Sequence, residues 1–120
     1  MSGNAHRAAH VLYGAPLLID DPGAGKNINI DRQLGIVEMV SATAEARTLL
    51  NPTKPGIRCI IRLKTDGGDV TLTAANGLNV AGNTTAVFAD VGDQLVLVSV
   101  SHTSGYRWEI LVNTGSVALS

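Results

Sequence analysis

The feature that most constrains the fold of this chain is a series of short runs rich in β-branched residues, each closed by Gly, Asn or Asp. Twelve Val, eight Ile and ten Thr together occupy 30 of the 120 positions, and their stiff side chains suit a pleated strand better than a helix. The closing residues recur about every 8–12 residues, as is typical of sandwiches and barrels. We therefore expect an all-β fold, an antiparallel β-sandwich or barrel of about 7–9 short strands.

The clearest strand is predicted over residues 57–65, where apolar and basic side chains alternate. Because successive side chains of a strand point to opposite faces, one face of this strand is apolar and the other is basic. The basic side chains are those of Arg58, Arg62 and Lys64. They form either a solvated face or a contact patch for an acidic neighbouring subunit.

Other segments predict how the strands are joined and covered. The glycine-rich turn at residues 66–69 predicts that the strand before it and residues 70–74 form a β-hairpin. The continuous apolar run within residues 94–101 predicts a central strand covered on both faces. Residues 43–50 favour a strand or one turn of helix about equally, and Trp108 is predicted to anchor the core. No internal sequence repeat is apparent.

Residues 1–33 are predicted to form an extended N-terminal arm, and residues 34–120 the β domain. The arm contains two short apolar runs on either side of Pro16, which cannot donate a hydrogen bond to a sheet. Such runs suit edge or arm positions. Together with the basic face, they give the candidate interface: Val11, Leu12, Tyr13, Leu17, Leu18, Ile19, Arg58, Arg62 and Lys64.

The composition excludes several functional classes. Nine basic and ten acidic residues give a net charge of -1, so binding of nucleic acid through bulk positive charge is not expected. The single cysteine, Cys59, excludes an internal disulfide framework. No run approaches the ~18 apolar residues of a membrane span, and no signal-type hydrophobic stretch follows the N-terminus. We expect no association with a membrane and no bound cofactor.

The motifs that suggest chemistry are incomplete. Gly23–Lys26 resembles part of a phosphate-binding loop but lacks the upstream Gly and the following Ser or Thr. Cys59 and His102 would make a nucleophile and base, but Cys59 alternates with core residues, which favours a buried thiol. Ser99 lies near His102 without a nucleophile-elbow sequence.

Metal binding is not favoured either. His6 and His10 have a spacing that suits a metal only on a helix. The aspartate pairs Asp66/Asp69 and Asp90/Asp93 are each framed by glycine, and turn formation accounts for them better than calcium binding does. We therefore expect no metal site and no enzymatic activity.

Residues 43–112 contain stretches that resemble a known class of proteins: Glu45–Gly56, Arg62–Thr73, Phe88–Val100 and Tyr106–Trp108. They resemble small β-rich virion proteins of tailed bacteriophages, of the head decoration (cement) or head-fibre type. The resemblance implies a homotrimer on the outer surface of the capsid, with an N-terminal arm that contacts the major capsid protein. It implies a capsid-stabilising role and no catalytic residues.

Other functions remain open on the sequence alone. A tail, baseplate or fibre component of the virion would share the β-rich composition. A ligand- or carbohydrate-binding β module would need exposed aromatic side chains, of which the chain has few. A small β-rich nucleotide hydrolase would need acidic and serine motifs that are not evident.

Overall fold

The computed structural model describes residues 17–120, which form ten β-strands in two mixed sheets of five strands each. No helix occurs in this part of the chain. The strands are β1 (Leu18–Ile19), β2 (Lys26–Ile28), β3 (Leu34–Ser41), β4 (Glu45–Leu49), β5 (Arg58–Asp66), β6 (Val70–Thr73), β7 (Thr85–Phe88), β8 (Gln94–His102), β9 (Gly105–Thr114) and β10 (Ala118–Leu119).

The first six strands alternate between the two sheets. Sheet A has the order β1-β3-β5-β8-β9, and sheet B has the order β10-β7-β6-β4-β2. β1, β3 and β5 are parallel neighbours in sheet A, and β2, β4 and β6 are parallel neighbours in sheet B. Parallel strands require a crossover connection, and here each crossover contains a strand of the opposite sheet. The chain therefore winds as three coils, each with one strand in each sheet.

The turns that lead from sheet A to sheet B lie against one another. Gly25 N donates to Ala46 O at 2.7 Å, and Glu45 N donates to Asp69 O at 2.9 Å. The third turn lies so close to the second that a Cβ on Gly68 would overlap the backbone of Thr43 and Ala44. Glycine is required here because two backbones approach closely.

The last four strands are antiparallel to their neighbours and complete both sheets. β8 pairs with β5 and with β9, and β7 pairs with β6 and with β10. The connection at residues 74–84 then covers part of the free edge of β9. Ile110 N donates to Leu78 O at 3.0 Å, and Asn76 Nδ2 donates to Tyr106 O at 2.8 Å.

The inner faces of the two sheets enclose one hydrophobic core. Trp108 and Phe88 are among its largest fully buried side chains. The indole nitrogen of Trp108 donates to Leu50 O at 2.9 Å, so the one polar atom of this side chain is satisfied. The prediction that Trp108 anchors the core is confirmed.

The all-β prediction is confirmed. The predicted antiparallel arrangement is wrong, because three neighbouring strands of each sheet are parallel to one another and only the other two pair in antiparallel orientation. The sheets do not close into a barrel. The strand number exceeds the predicted range, since the two short strands β1 and β2 lie in the segment predicted as an arm. Residues 43–50, for which the sequence left two states open, contain strand β4.

The predicted hairpin at residues 57–74 is also wrong. β5 lies in sheet A and β6 in sheet B. The turn at residues 66–69 packs against the preceding coil, where Gly67 N donates to Ser41 O at 2.8 Å. The turn therefore carries the chain across the core instead of folding β6 back onto β5.

The predicted arm, residues 1–33, is described from residue 17 onward. β1 pairs with β3, and β2 pairs with β4. Ile28 and Ile30 are buried in the common core. The described part of this segment is thus integrated into both sheets as the first coil.

Candidate functional site

The outer face of sheet A carries an unbroken apolar row that crosses all five strands. The register pairs Leu18 with Ile36, Ile36 with Ile60, Ile60 with Val96, and Val96 with Val112. All five side chains are at least partly exposed, and Leu18 and Val112 reach 53% and 50%. We call these five residues the apolar row.

The apolar row belongs to strands that are apolar on both sides. In β8, Leu95 and Leu97 point into the core, while Val96, Val98 and Val100 point outward and are partly exposed. Parallel and central strands with this composition are normally covered on both faces. Within residues 17–120, only the inner face of sheet A is covered.

Charged side chains flank the apolar row. Arg58 and Glu109 lie on one side of it, and Glu38 and Arg62 on the other. Arg62 Nη1 is 4.0 Å from Glu38 Oε2, at the outer limit of an ion pair. Arg62 Nε is shielded from solvent and has no hydrogen-bond partner among the described residues. A buried donor without an acceptor is unfavourable, although the Arg62 side chain as a whole is 40% exposed.

The outer face of sheet B has a different chemistry. One row across it consists of Asn27, Thr48, Thr73 and Thr85, and a second consists of Ala46, Thr71, Val87 and Ala118. Hydroxyl and amide groups remain hydrated at no cost. The two outer faces therefore differ: the rows of sheet B contain hydroxyl and amide side chains beside Ala and Val, whereas every member of the apolar row of sheet A is apolar.

A buried ion pair holds the first coil, and with it Leu18, against the second. The Arg47 side chain is fully buried; its Nε lies 2.6 Å from Asp21 Oδ1, and its Nη2 lies 2.8 Å from Asp21 Oδ2. Glu45 accepts from Arg47 Nη1 at 3.1 Å. Asp21 also accepts from Val40 N at 2.9 Å. These contacts join the turn after β1 to β3 and β4.

The electrostatics of this pair favour its charged form. Partial burial alone would raise the pKa of Asp21, but hydrogen bonds from Arg47 and from the backbone N–H groups of Val40 and Gly23 outweigh it, so the pKa lies below its usual value. Hydrogen bonding to Asp21 likewise raises the pKa of Arg47.

The sequence-predicted interface residues fall into three groups. Val11, Leu12 and Tyr13 lie outside the described residues. Leu18, Arg58, Arg62 and Lys64 share the outer face of sheet A. Ile19 instead packs against the core, and Leu17 is partly buried, with its carbonyl accepting from Ile36 N at 2.9 Å.

Sequence reasoning missed four of the five residues of the apolar row, which are Ile36, Ile60, Val96 and Val112. The signal was the apolar run in β8, which was interpreted as a strand covered on both faces. The residues meet only through the register of the five strands, because each is distant in sequence from its neighbours in the row.

The incomplete catalytic motifs have structural roles. Cys59 is fully buried, and burial raises the pKa of its thiol. His102 lies at the β8–β9 turn, where its Nδ1 accepts from Ser104 N at 3.1 Å. The Ser99 hydroxyl donates to Lys54 O at 2.6 Å and accepts from Ile57 N at 2.8 Å, which holds the connection before β5.

The phosphate-loop and metal motifs are turns. Gly23–Lys26 connects β1 to β2, with positive φ at Gly23 and Gly25, and a strand follows it. The carboxylate of Asp93 accepts from Ala89 N and Asp90 N at 2.9 and 3.1 Å, which closes a turn. Among residues 17–120, no group of three or more His, Cys, Asp or Glu side chains could hold a metal ion.

A cavity of about 360 Å³ lies at the far end of the coils, between the connections at residues 29–33 and 51–57. Its lining includes Asp31 and Arg32, which form an ion pair of 2.8 Å with each other. Lys54 adds one further cation to the lining.

No helix that could cross a membrane occurs between Leu17 and Ser120.

No family model matches this chain, and no curated protein matches it either.

Proposed function

We propose that this protein is a structural subunit that acts by association and catalyses no reaction. The observation that carries the proposal is the apolar row across the outer face of sheet A. Contiguous exposed apolar surface on a protein marks a site of contact with another molecule. The hydroxyl-rich face of sheet B is the contrasting surface that would remain in water.

We propose further that the assembly is the head of a tailed bacteriophage, and that the protein decorates its outer surface as a symmetric oligomer. Two observations support this: the resemblance of residues 43–112 to head decoration and head-fibre proteins, and the contact surface on sheet A. Such a protein would stabilise the capsid lattice by adding contact area between subunits. Several weak contacts made by one oligomer act together, which raises the overall affinity.

The two kinds of contact have different places on the chain. Copies of the protein associate through the outer face of sheet A. The N-terminal arm contacts the major capsid protein, as the resemblance implies, and Val11, Leu12 and Tyr13 are its candidate contact residues. Because the described strands begin at Leu18, removal of residues 1–16 leaves all ten strands in the chain.

Co-sedimentation with undecorated phage heads tests this proposal. The full chain is expected to sediment with the heads, whereas a chain lacking residues 1–16 is expected to remain in the supernatant. The urea midpoints of the two proteins should be equal, which separates attachment from folding. A full chain that never sediments with heads would contradict the proposal.

Immunogold labelling of intact particles distinguishes head from tail. Gold distributed over the head surface supports a decoration protein. Gold confined to the tail or baseplate would instead assign the protein to the tail, baseplate or fibre class. Labelling of neither would leave the virion assignment without support and favour a ligand-binding module, for which a glycan array is the direct assay.

A further inference from the structure

We infer that the outer face of sheet A is covered by the same face of a second copy of this chain, in a two-fold arrangement that places β3 of each copy over β5 of the other. The inference rests on the proposed function for its premise that the protein acts by association, and it specifies the partner and the contact. It starts from the strand order of sheet A, in which β3 and β5 are neighbours.

Four of the five residues of the apolar row are matched in this arrangement, and Val112 on the edge strand β9 lies outside the overlap. A two-fold axis parallel to the strands and between β3 and β5 exchanges these two strands, and it also exchanges β1 with β8. Ile36 of one copy then lies opposite Ile60 of the other, and Leu18 lies opposite Val96. The strands of sheet A in one copy then run nearly parallel to the strands of sheet A in the other, as in sheets that pack face to face.

The charges select this offset. Glu38 of each copy lies opposite Arg62 of the other, because Glu38 and Arg62 are register partners on β3 and β5. Arg62 has only a 4.0 Å contact with Glu38 of its own chain and an unpartnered, shielded Nε. A second carboxylate provides the missing acceptor.

Other offsets are less favourable. An axis through β5 would place Arg62 opposite Arg62 and Arg58 opposite Arg58, and like charges in contact oppose association. An axis through β8 would pair Arg58 with Glu109, but it would leave Leu18 and Ile36 uncovered. The axis between β3 and β5 overlaps four strands of each copy, and the axis through β8 overlaps three. The axis through β5 would overlap all five strands, so the like charges, and not the area, disfavour it.

The overlapping area is that of a weak, reversible contact. β3 and β5 together are about 10 Å wide and about 26 Å long, whereas β1 has only two residues and covers about 7 Å of β8. The footprint is then about 300 Å² on each copy and about 600 Å² in total, which is below the size of a standard specific interface. We therefore expect a dimer whose population rises with protein concentration.

Light scattering on a size-exclusion column tests the surface. The full chain is expected to have the mass of two copies at high concentration. Ile60→Asp, at the centre of the apolar row, is expected to have the mass of one copy. Thr71→Asp is the matched control, since Thr71 lies on the central strand of sheet B and also faces outward; it should remain a dimer. Circular dichroism establishes that both variants fold.

Charge reversal tests the arrangement. Glu38→Arg and Arg62→Glu are each expected to weaken the dimer at least about tenfold, since each places like charges opposite one another twice. An equimolar mixture of the two variants should regain the dimer, because position 38 of each chain then faces a residue of opposite charge at position 62 of the other. If Glu38 and Arg62 formed an ion pair only within one chain, mixing the two variants could not restore it.

Three results would overturn both the contact surface and the two-fold arrangement. They are a chain that stays monomeric at every concentration, a dimer that survives Ile60→Asp, and a mixture of the charge variants that does not associate. A trimer, the state that the resemblance implies, would also overturn the two-fold arrangement while leaving the proposed function in place. A dimer that behaves as expected but never sediments with phage heads would contradict the proposed function and leave this inference standing.

Discussion

Asp21 and Arg47 form a bidentate ion pair that joins the first coil of the chain to the second, with N–O distances of 2.6 and 2.8 Å. Arg47 lies on β4 of sheet B, and Asp21 follows β1 of sheet A. Asp21 also accepts the backbone N–H of Val40 at the end of β3. One carboxylate therefore connects both sheets, and it holds Leu18 in the apolar row.

Loss of the Asp21 charge should destabilise the protein, because Arg47 would remain buried with Glu45 as its only nearby carboxylate partner in the described chain. Breaking a buried ion pair costs about 3 kcal/mol or more, so Asp21→Asn should lower the free energy of unfolding by about 3 kcal/mol. Urea denaturation measures this. Asp31→Asn, which breaks the exposed pair of Asp31 with Arg32, is the control and should leave the midpoint unchanged. Equal effects of the two substitutions would contradict the role of Asp21.

The same pair should make stability fall at acid pH. The pKa of Asp21 is lowered in the folded protein, so the stability that it contributes is fully present above its unfolded pKa of about 4 and is lost as the pH falls through the folded value. Urea midpoints at pH 7 and pH 3 should differ more for the unaltered protein than for Asp21→Asn. Identical losses in the two proteins would show that Asp21 is not the responsible group.

Ser99 should stabilise the connection that leads into β5. Its buried hydroxyl bonds both Lys54 O and Ile57 N, and Ser99→Ala would leave the Ile57 N–H without this acceptor. An unsatisfied buried donor costs about 1–3 kcal/mol, so the free energy of unfolding should fall by about 2 kcal/mol. Ser101→Ala, at an exposed position on the same strand, is the matched control and should have no effect. A comparable loss at Ser101 would refute the assignment.

Cys59 should react with a thiol reagent only when the protein unfolds. Its side chain is fully buried, and burial raises the pKa of the thiol, so both access and thiolate formation are suppressed. Labelling at pH 8 should be slow in native buffer and complete within seconds in denaturant. Rapid labelling of the native protein would mean that the core between the two sheets opens.

The positions of the strands could be predicted from the sequence because alternation is a local signal. The strand predicted at residues 57–65 is β5, and the apolar run at residues 94–101 lies in β8. The pairing of these strands could not be predicted, because it depends on contacts between distant residues. Gly67 and Gly68 suit a tight hairpin turn as well as they suit close packing against Ser41–Ala44, and only the tertiary structure distinguishes the two.

The composition of the outer face of sheet A could be predicted only in part, for the same reason. Arg58, Arg62 and Lys64 were found because they alternate along one strand. Ile36, Ile60 and Val96 each belong to a different strand, and they form a row only once the register of sheet A is known. The three coils show no sequence repeat, since different residues meet the same geometric requirement in each turn.

Side-chain footprinting with a carbene or hydroxyl radical tests the central claim most directly, by comparing the protein in its assembled particle with the protein at low concentration. The account predicts that the outer face of sheet A, read at Leu18, Ile60 and Val96, becomes protected on assembly, while Val87 and Ala118 on the outer face of sheet B keep their reactivity. Unchanged labelling of the apolar row, with protection confined to sheet B, would contradict it.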